Sequence, residues 1–295
     1  MFDNRLGSTL IGRAVRSACS ALALVAGLVA SAQAPAPASV EFNHPLGLQM
    51  YTLRFVKGSL ADKLALVQKL GLKEIEGGVG GSPAEARALF ERYGLKCTSI
   101  GASYEQVQKD IDKIIANAKG VGASYVMVAW IPHNGDFTEE GVHRAAADFN
   151  AWGKKFKENG IKFCYHTHGY EFRRSGDGTL FDLLMKETNP EEVFYEMDVF
   201  WVAHSGTDPI HLLKQYPQRF RLMHLKDLQK GFVGDFTGHA PDETSVPLGE
   251  GQIDYPTLLK VAQDAGVERY YIEDEAKDAV DHLPLTLRFL TAQKF

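Results

Sequence analysis

The chain lacks several common signatures, and each absence removes a class of function. Its three cysteines are too few for a disulfide framework. No basic block interrupts a net charge of −5, so nucleic acid is not an expected partner, because neutralising phosphates takes clustered lysine and arginine. No Gly-x-Gly-x-x-Gly follows the first expected strand, so nothing supports a dinucleotide site. The apolar run Ala21 to Ala30 is too short to span a bilayer comfortably. No Leu-x-Gly-Cys motif surrounds Cys19, which argues against lipidation.

What is present begins with an export signal. Arg5, Arg13 and Arg16 precede the apolar run, and Ala30-Ser31-Ala32 fits a small-x-small cleavage site. Residues 1–32 are therefore expected to be a signal peptide. Residues 33–45, with APAPAS at 34–39, are expected to be a stiff, disordered linker. The mature protein is expected to be exported and periplasmic, with no membrane span. It keeps Cys97 and Cys164, both in expected strands, where they read as small buried hydrophobes. With 45% apolar and 23% charged residues, the composition is that of an ordinary soluble domain.

One local pattern recurs: a helical stretch ends in glycine and a strand follows at once. It appears in KLGLKEIE, RYGLKCTSI, ENGIKFCYH and DAGVERYYIE. Glycine suits the position after a helix because it adopts positive φ without a Cβ penalty. The β-branched runs that follow suit strands buried on both faces. The full reading gives strands near 46–52, 73–77, 96–100, 124–130, 161–166, 193–198, 220–225 and 269–274. Helices fall near 60–70, 83–93, 104–119, 138–158, 179–187, 208–215, 255–265 and 279–293. Ser82-Pro83, Thr138, Asp208-Pro209 and Asp254 mark helix starts. Eight alternating pairs predict an α/β fold, a single-domain (β/α)8 TIM barrel over residues 46–295, ahead of an open doubly wound sheet. A long glycine-rich loop, 228–250, follows strand seven and has the length of a lid or binding element.

Metal-type side chains fall at the ends of the expected strands: His166 and His168, Asp198, His224 and Glu273. A barrel brings the C-terminal ends of its strands to one face, so these distant residues are expected to converge. A mixed carboxylate and imidazole set suits one divalent ion, and Mn²⁺, Co²⁺, Zn²⁺ and Mg²⁺ stay open. In a strand, residues two apart share a face, so His166 pairs with His168, Glu196 with Asp198, and His224 with Lys226. Each has a plainer reading: a hydrogen-bonded histidine, a capping Asp198, a solvated acidic cluster around Glu273. Around them, Arg54, Glu76, Glu171, Trp130 and Trp201 are candidate substrate contacts, the tryptophans as apolar walls for a sugar ring. Tyr51, His133 and His239 are weaker candidates.

At these residues the chain resembles the sugar phosphate isomerase/epimerase family, the xylose-isomerase-like barrels. The stretches that carry the resemblance are LGLQMYTLR, CYHTHGYEF, EMDVFWVAHSGTDPIHLLKQYPQRFRLMHLKD and PLGEGQIDYPTLLKVAQDAGV, and it covers nearly all of residues 46–295. It implies one divalent metal held by Asp198, His224 and Glu273. The family's usual strand-five glutamate is replaced here by His166-Thr-His168; either histidine can complete the shell, His168 being carried as the metal candidate, and the sequence does not choose between them. Trp201 stands where ketose epimerases often carry a substrate-binding histidine.

The expected activity is a metal-dependent isomerase or epimerase that abstracts a proton next to a carbonyl on a non-phosphorylated carbohydrate. Glu273, His166 and His168 are its candidate acids and bases, and Lys226 would stabilise oxyanion charge. The alternative is a lyase or hydratase acting on 3-keto-glycosides by metal-assisted elimination. Further alternatives are a non-catalytic periplasmic sugar-binding barrel and an endonuclease-IV-like phosphodiesterase, the latter disfavoured by the acidic balance. A small-molecule carbohydrate is the expected partner, and oligomerisation stays open.

Overall fold

The computed structural model describes residues 42, 44–78 and 81–294. The expected leader, and the linker apart from residues 42, 44 and 45, lie outside the described residues. Eight parallel strands close into a barrel: β1 Leu46–Gln49, β2 Glu74–Gly77, β3 Lys96–Gly101, β4 Tyr125–Val128, β5 Lys162–His166, β6 Val193–Asp198, β7 Phe220–Leu225 and β8 Arg269–Ile272. Each strand pairs with its neighbours in sequence, and β8 closes on β1 through Gly47 opposite Tyr271. This is the expected (β/α)8 barrel.

The surrounding helices are α1 Leu60–Lys69, α2 Pro83–Arg92, α3 Tyr104–Val121, α4 Glu139–Glu158, α5 Leu180–Glu187, α6 Val199–His204, α7 Pro209–Gln215, α8 Tyr255–Asp264 and α9 Ala279–Thr291. Their ends follow the sequence signals. Asp208 accepts the backbone N–H groups of Ile210 and His211, Thr138 that of Gly141 and Asp254 that of Thr257. The four glycines that close the recurring pattern, Gly71, Gly94, Gly160 and Gly266, all have φ between +66° and +86°. At the first three a Cβ would meet nothing within 4 Å, so backbone conformation and not space requires glycine there. Before β7, Gln218 takes the same conformation, with φ +67°.

Three local departures bear on the site. β1 ends at Gln49, short of the expected residue 52, because the Gln49 side chain accepts the Tyr51 N–H and starts a 3-10 turn, Met50–Leu53. The short helix α6 was not expected; Asp198 caps it. Inside the long loop, Asp227–Leu228 pairs antiparallel with Ser245–Val246. Asp227 accepts the N–H groups of Leu228, Gly249, Gly251 and Ile253 at 2.9–3.3 Å, which ties the loop's return to the end of β7.

Alternation sorts each strand into two faces. Tyr165, Tyr195, Met197, Met223, Leu225, Tyr270 and Ile272 join the main core with the helices. Tyr125, Cys164, Leu222 and Tyr271 form a second cluster. Cys164 sits two residues before His166 and Leu222 two before His224 on the same strands, and Tyr271 two before Glu273, which follows its strand. The same strand face thus runs from apolar filling to charge. Gly47 is required here, because a Cβ would lie 2.5 Å from the Tyr271 ring. Burying each large side chain contributes roughly 1.5–3 kcal/mol, so the barrel can carry an unfavourable polar end. Among the described residues, no helix is long and apolar enough to cross a membrane.

Candidate metal centre and substrate cavity

Five strand ends converge, the four with expected metal-type side chains and that of β2. His166 ends β5, Asp198 ends β6, His224 is the penultimate residue of β7, Glu76 lies near the end of β2, and Glu273 follows β8 directly. All are buried. His166, Asp198 and His224 offer donor atoms within 4.8 Å of one another. His166 Nε2 lies 3.7 Å from Asp198 Oδ2, and His224 Nδ1 lies 3.8 Å from the same oxygen. Two donors bound to one ion at about 2.1 Å sit about 3–3.5 Å apart, so these spacings are close to those of a ligand shell. Glu273 Oε2 approaches the same ring nitrogen, 3.0 Å from His224 Nδ1.

The remaining atoms of these residues are held by neighbours. Asp198 Oδ1 accepts the Trp201 N–H at 3.2 Å, while Oδ2 is buried with no hydrogen-bond partner. One carboxylate thus caps α6 with one oxygen and offers the other to the cavity floor. His166 Nδ1 faces Glu196 Oε2 at 3.1 Å. His224 Nε2 donates to Glu76 Oε1 at 2.6 Å, and Glu196 Oε2 lies 3.3 Å away. Gln49 Nε2 donates to the same Glu76 oxygen at 2.8 Å. A histidine ligand ordinarily donates its second ring N–H to a carboxylate, which fixes its orientation; both histidines have that support. The strand registers shift at Ile75/Glu76 and at Tyr195/Glu196. Such irregularities re-aim side chains, and the two carboxylates re-aimed here are those that meet His224 Nε2.

The electrostatics fit a centre built to hold positive charge. Burial opposes a charge on His224, but Glu196, Glu273 and Glu76 outweigh it and raise its pKa well above the usual histidine value. Burial holds His166 well below that value, and the charge on His224 adds to this. Burial raises Glu196, with Glu76 adding repulsion, and burial raises Asp198 despite the nearby Lys226 charge. Glu273 is lowered, because Lys226 and His224 outweigh its burial. Buried carboxylate oxygens without partners remain on Glu76, Glu196 and Asp198. Such orphans are costly, and a divalent cation would relieve that of Asp198 directly.

The structure moves several residues from their expected places. β5 ends at His166, so strand alternation no longer governs His168. The His168 N–H donates to Glu171 Oε1 at 2.8 Å, and its ring stacks on Trp201 at 4.5 Å and meets Trp130 edge-on at 5.2 Å. Of the two histidines the sequence left open, His166 is the one that stands within donor distance of Asp198 and His224. Glu76 sits beneath His224 with no exposed surface, not at the mouth where a substrate contact was expected. Glu171 is likewise fully buried and supports the His168 backbone. Arg54 binds Asp242 Oδ1 at 3.2 Å and the Glu275 carbonyl, which ties the long loop to the segment after β8. Lys226 pairs with Glu275 and packs over Phe200 at 4.6 Å and Trp201 at 5.0 Å. It balances Asp198 and Glu273 from 4.0 and 3.9 Å and does not line the main cavity. Sequence reasoning gave no role to Glu196, Gln49 or Glu275; the i, i+2 spacing of Glu196 and Asp198 was the available signal.

Above the centre lies a cavity of about 490 Å³, within the range of small-molecule sites, roughly 300–1,000 Å³. Its floor is His166, His224 and Glu273, and its walls include His168, Trp130, Trp201, Tyr51 and His239. The long loop contributes Gly238, His239 and Ala240 to it. Gly238 has φ +71°, and a Cβ there would lie 3.0 Å from His168 Nδ1 and from Trp130. The loop can close this tightly only through glycine. His168 Nδ1 is buried without a hydrogen-bond partner, and burial pushes the ring's pKa down to about 3.

Comparison with known proteins fits this geometry. An inosose dehydratase of Clostridium perfringens is 30% identical over 209 residues, covering 68% of this chain but only 64% of the relative's own length. A sugar phosphate isomerase/epimerase from Parabacteroides distasonis superposes with a TM-score of 0.68 at 22% identity, over 84% of this chain and 93% of the other. The IOLI protein, solved with a bound zinc atom, superposes with a TM-score of 0.69 at 16% identity, over 84% and 98% of the two chains. At such identities the structural likenesses speak for the fold alone. The family described as xylose isomerase-like TIM barrel matches residues 64–292, and the chain belongs to that family.

Proposed function

We propose that the protein is an exported, divalent-metal-dependent lyase that eliminates a leaving group next to the carbonyl of a cyclic, non-phosphorylated keto-carbohydrate. The observation that carries this reading is that His168, Trp130 and Trp201 line one cavity together with His166 and His224 of the His166–Asp198–His224 group. Isomerase or epimerase chemistry came first from the sequence. The dehydratase name of the Clostridium perfringens relative and the histidine-rich end of β5 shift the balance to elimination.

His166, Asp198, His224 and Glu273 would hold the ion, with zinc, the metal of the IOLI neighbour, as the leading choice. When bound, the ion would polarise the substrate carbonyl and stabilise negative charge on its oxygen. The residues of the chain do the rest. His168, whose ring lines the cavity over the candidate ion site, takes the proton from the carbon next to the carbonyl, whose acidity the bound ion would raise. With Nδ1 covered by Gly238, Nε2 is the ring nitrogen through which it acts. The C–H pair becomes the new C=C bond, the β C–O bond breaks with its electrons, and the departing oxygen recovers the proton from His168. Trp130 and Trp201 hold the ring against the floor and limit water. Gln49 and Glu76 keep His224 in place.

A mass-resolved assay on keto-inositols and 3-keto-glycosides, with added Zn²⁺, Mn²⁺ or Co²⁺, tests this. The expected product is lighter than the substrate by water or by the leaving alcohol, and His168→Ala reduces its formation by at least about 100-fold. A product of unchanged mass would restore the isomerase or epimerase reading.

A further inference from the structure

A second cavity of about 480 Å³ opens beside the first, lined by the loop after β4 and the start of α4. Trp130 lines both cavities. The rings form a series across the boundary: His239 lines the inner cavity and stacks on Trp130 at 5.7 Å, and His133 lines the outer one and stacks on Trp130 at 4.9 Å, 19° from parallel. The outer cavity also presents Glu105, Asp136, Glu140 and Arg144. None of these residues takes part in the metal centre.

The geometry points to an outer subsite for a second sugar ring, so that the substrate is a two-ring keto-glycoside whose leaving group is a sugar and not water. This rests on the elimination reading. Three features select the occupant. The outer volume matches the inner one, so a substrate of two similar rings fills both. Flat aromatic faces beside carboxylates and a guanidinium are the side chains that hold sugar C–H faces and hydroxyls. Asp136 is paired with Arg173 at 2.7 Å, which leaves Glu105 and Glu140 against Arg144, a balance that disfavours a phosphate or carboxylate on the second moiety.

His133 Nδ1 lies 2.7 Å from the Ile131 carbonyl. A carbonyl only accepts, so Nδ1 carries the proton, and in the neutral ring Nε2 is left as an acceptor. Arg144 donates to the Pro132 carbonyl at 3.3 Å and also meets the Tyr104 hydroxyl, which holds the guanidinium at the cavity wall. The bond to be broken then lies near Trp130, between the cavities, within the reach of the inner-cavity residues.

Turnover of a 3-keto-disaccharide and of a monocyclic keto-inositol is compared in wild type, Glu140→Ala and Arg144→Ala. Both substituted side chains are exposed, so folding is not at stake. The ratio of kcat/KM for the disaccharide to that for the keto-inositol is expected to fall about tenfold in each variant, a loss of about 1.4 kcal/mol, mostly through KM. An unchanged ratio in both variants overturns the subsite. Calorimetric titration with the unoxidised disaccharide and with glucose needs no turnover, so it separates this idea from the elimination reading. Tighter disaccharide binding that weakens in the variants supports the subsite even if no elimination is found. Equal binding of the two sugars, unaffected by the substitutions, removes it.

Discussion

The two ends of the barrel carry similar side chains and use them differently. At the N-terminal end, Lys162 Nζ lies 2.7 Å from both oxygens of Glu268, which also accepts from Tyr125. Arg269 Nη1 lies 3.3 Å from Glu74 Oε1, and Thr98 bonds the other oxygen of Glu74. Every carboxylate oxygen there has a partner, and Lys162 and Glu268 are more than a third exposed. At the C-terminal end, Glu76, Glu196, Asp198 and Glu273 are buried around two imidazoles and one lysine, with three oxygens left without hydrogen bonds. Paired, half-exposed charge marks an end built for stability. Buried, partly unpaired negative charge marks an end that something else must complete.

The sharpest way to break this contrast is to remove the cation or its ligands. His224→Ala and Asp198→Asn are expected to lose bound divalent metal and at least about 100-fold in kcat/KM. Asparagine keeps an oxygen for the Trp201 N–H, so the second variant retains the start of α6. Chelation of the wild type should lower its Tm by roughly 5–10 °C, because an ion present at 100 times its Kd contributes about 2.7 kcal/mol to the folded state. Metal analysis and melting curves with and without chelator check both points. If the variants keep their metal, the two ends of the barrel do not differ in the way proposed.

A second prediction concerns the support beneath the cavity wall. Glu171 is fully buried, and one of its oxygens has no hydrogen-bond partner. Burial is the main cause that raises its pKa from 4.5 to about 7, against the bonds it accepts from backbone N–H groups. Its folded pKa thus lies above its unfolded one, so the folded state holds the extra proton between these values. The associated stability is fully present below about pH 4.5 and is lost as pH rises through about 7, on the order of 3 kcal/mol in all. Glu171→Gln mimics the protonated carboxyl and should flatten this dependence. Melting temperatures of both proteins between pH 5.5 and 8 measure it, and parallel curves would sink the idea.

The fold and the identity of the site residues are far more legible in the sequence than the partners those residues take. Strand-end positions and the helix–glycine–strand pattern identify the barrel, because turn chemistry and alternation act over a few residues. Asp198, His224 and Glu273 follow from the same logic. His168 does not, since alternation holds only while the strand lasts, and β5 stops at His166 where Glu171 captures the next turn. Glu76 and Glu196 acquire their positions from register shifts between strands, which no single segment encodes. Near strand ends, Lys226 reads as a stabiliser of oxyanion charge and Arg54 as a substrate contact. Their actual partners, Glu275 and Asp242, come from loops whose path depends on tertiary packing.

The smallest expected effect sharpens the comparison from the other end. Glu268→Ala removes a carboxylate that holds Lys162 and Tyr125 and lies 3.5 Å from Arg221 Nε. With Lys162 and Glu268 partly open to solvent, the lysine that remains can hydrate, so the loss should be only about 1 kcal/mol. For a domain of this size that corresponds to roughly 2–4 °C in Tm. Because the pair is screened by salt, the difference should shrink as ionic strength rises. The site lies at the opposite end of the strands, so kcat/KM and metal content should match the wild type. Melting curves at low and high salt, with one activity assay, suffice. A large loss of activity from Glu268→Ala would mean that charge at the base of the barrel is coupled to the metal end through the strand interiors, and that the two ends are not separate in function.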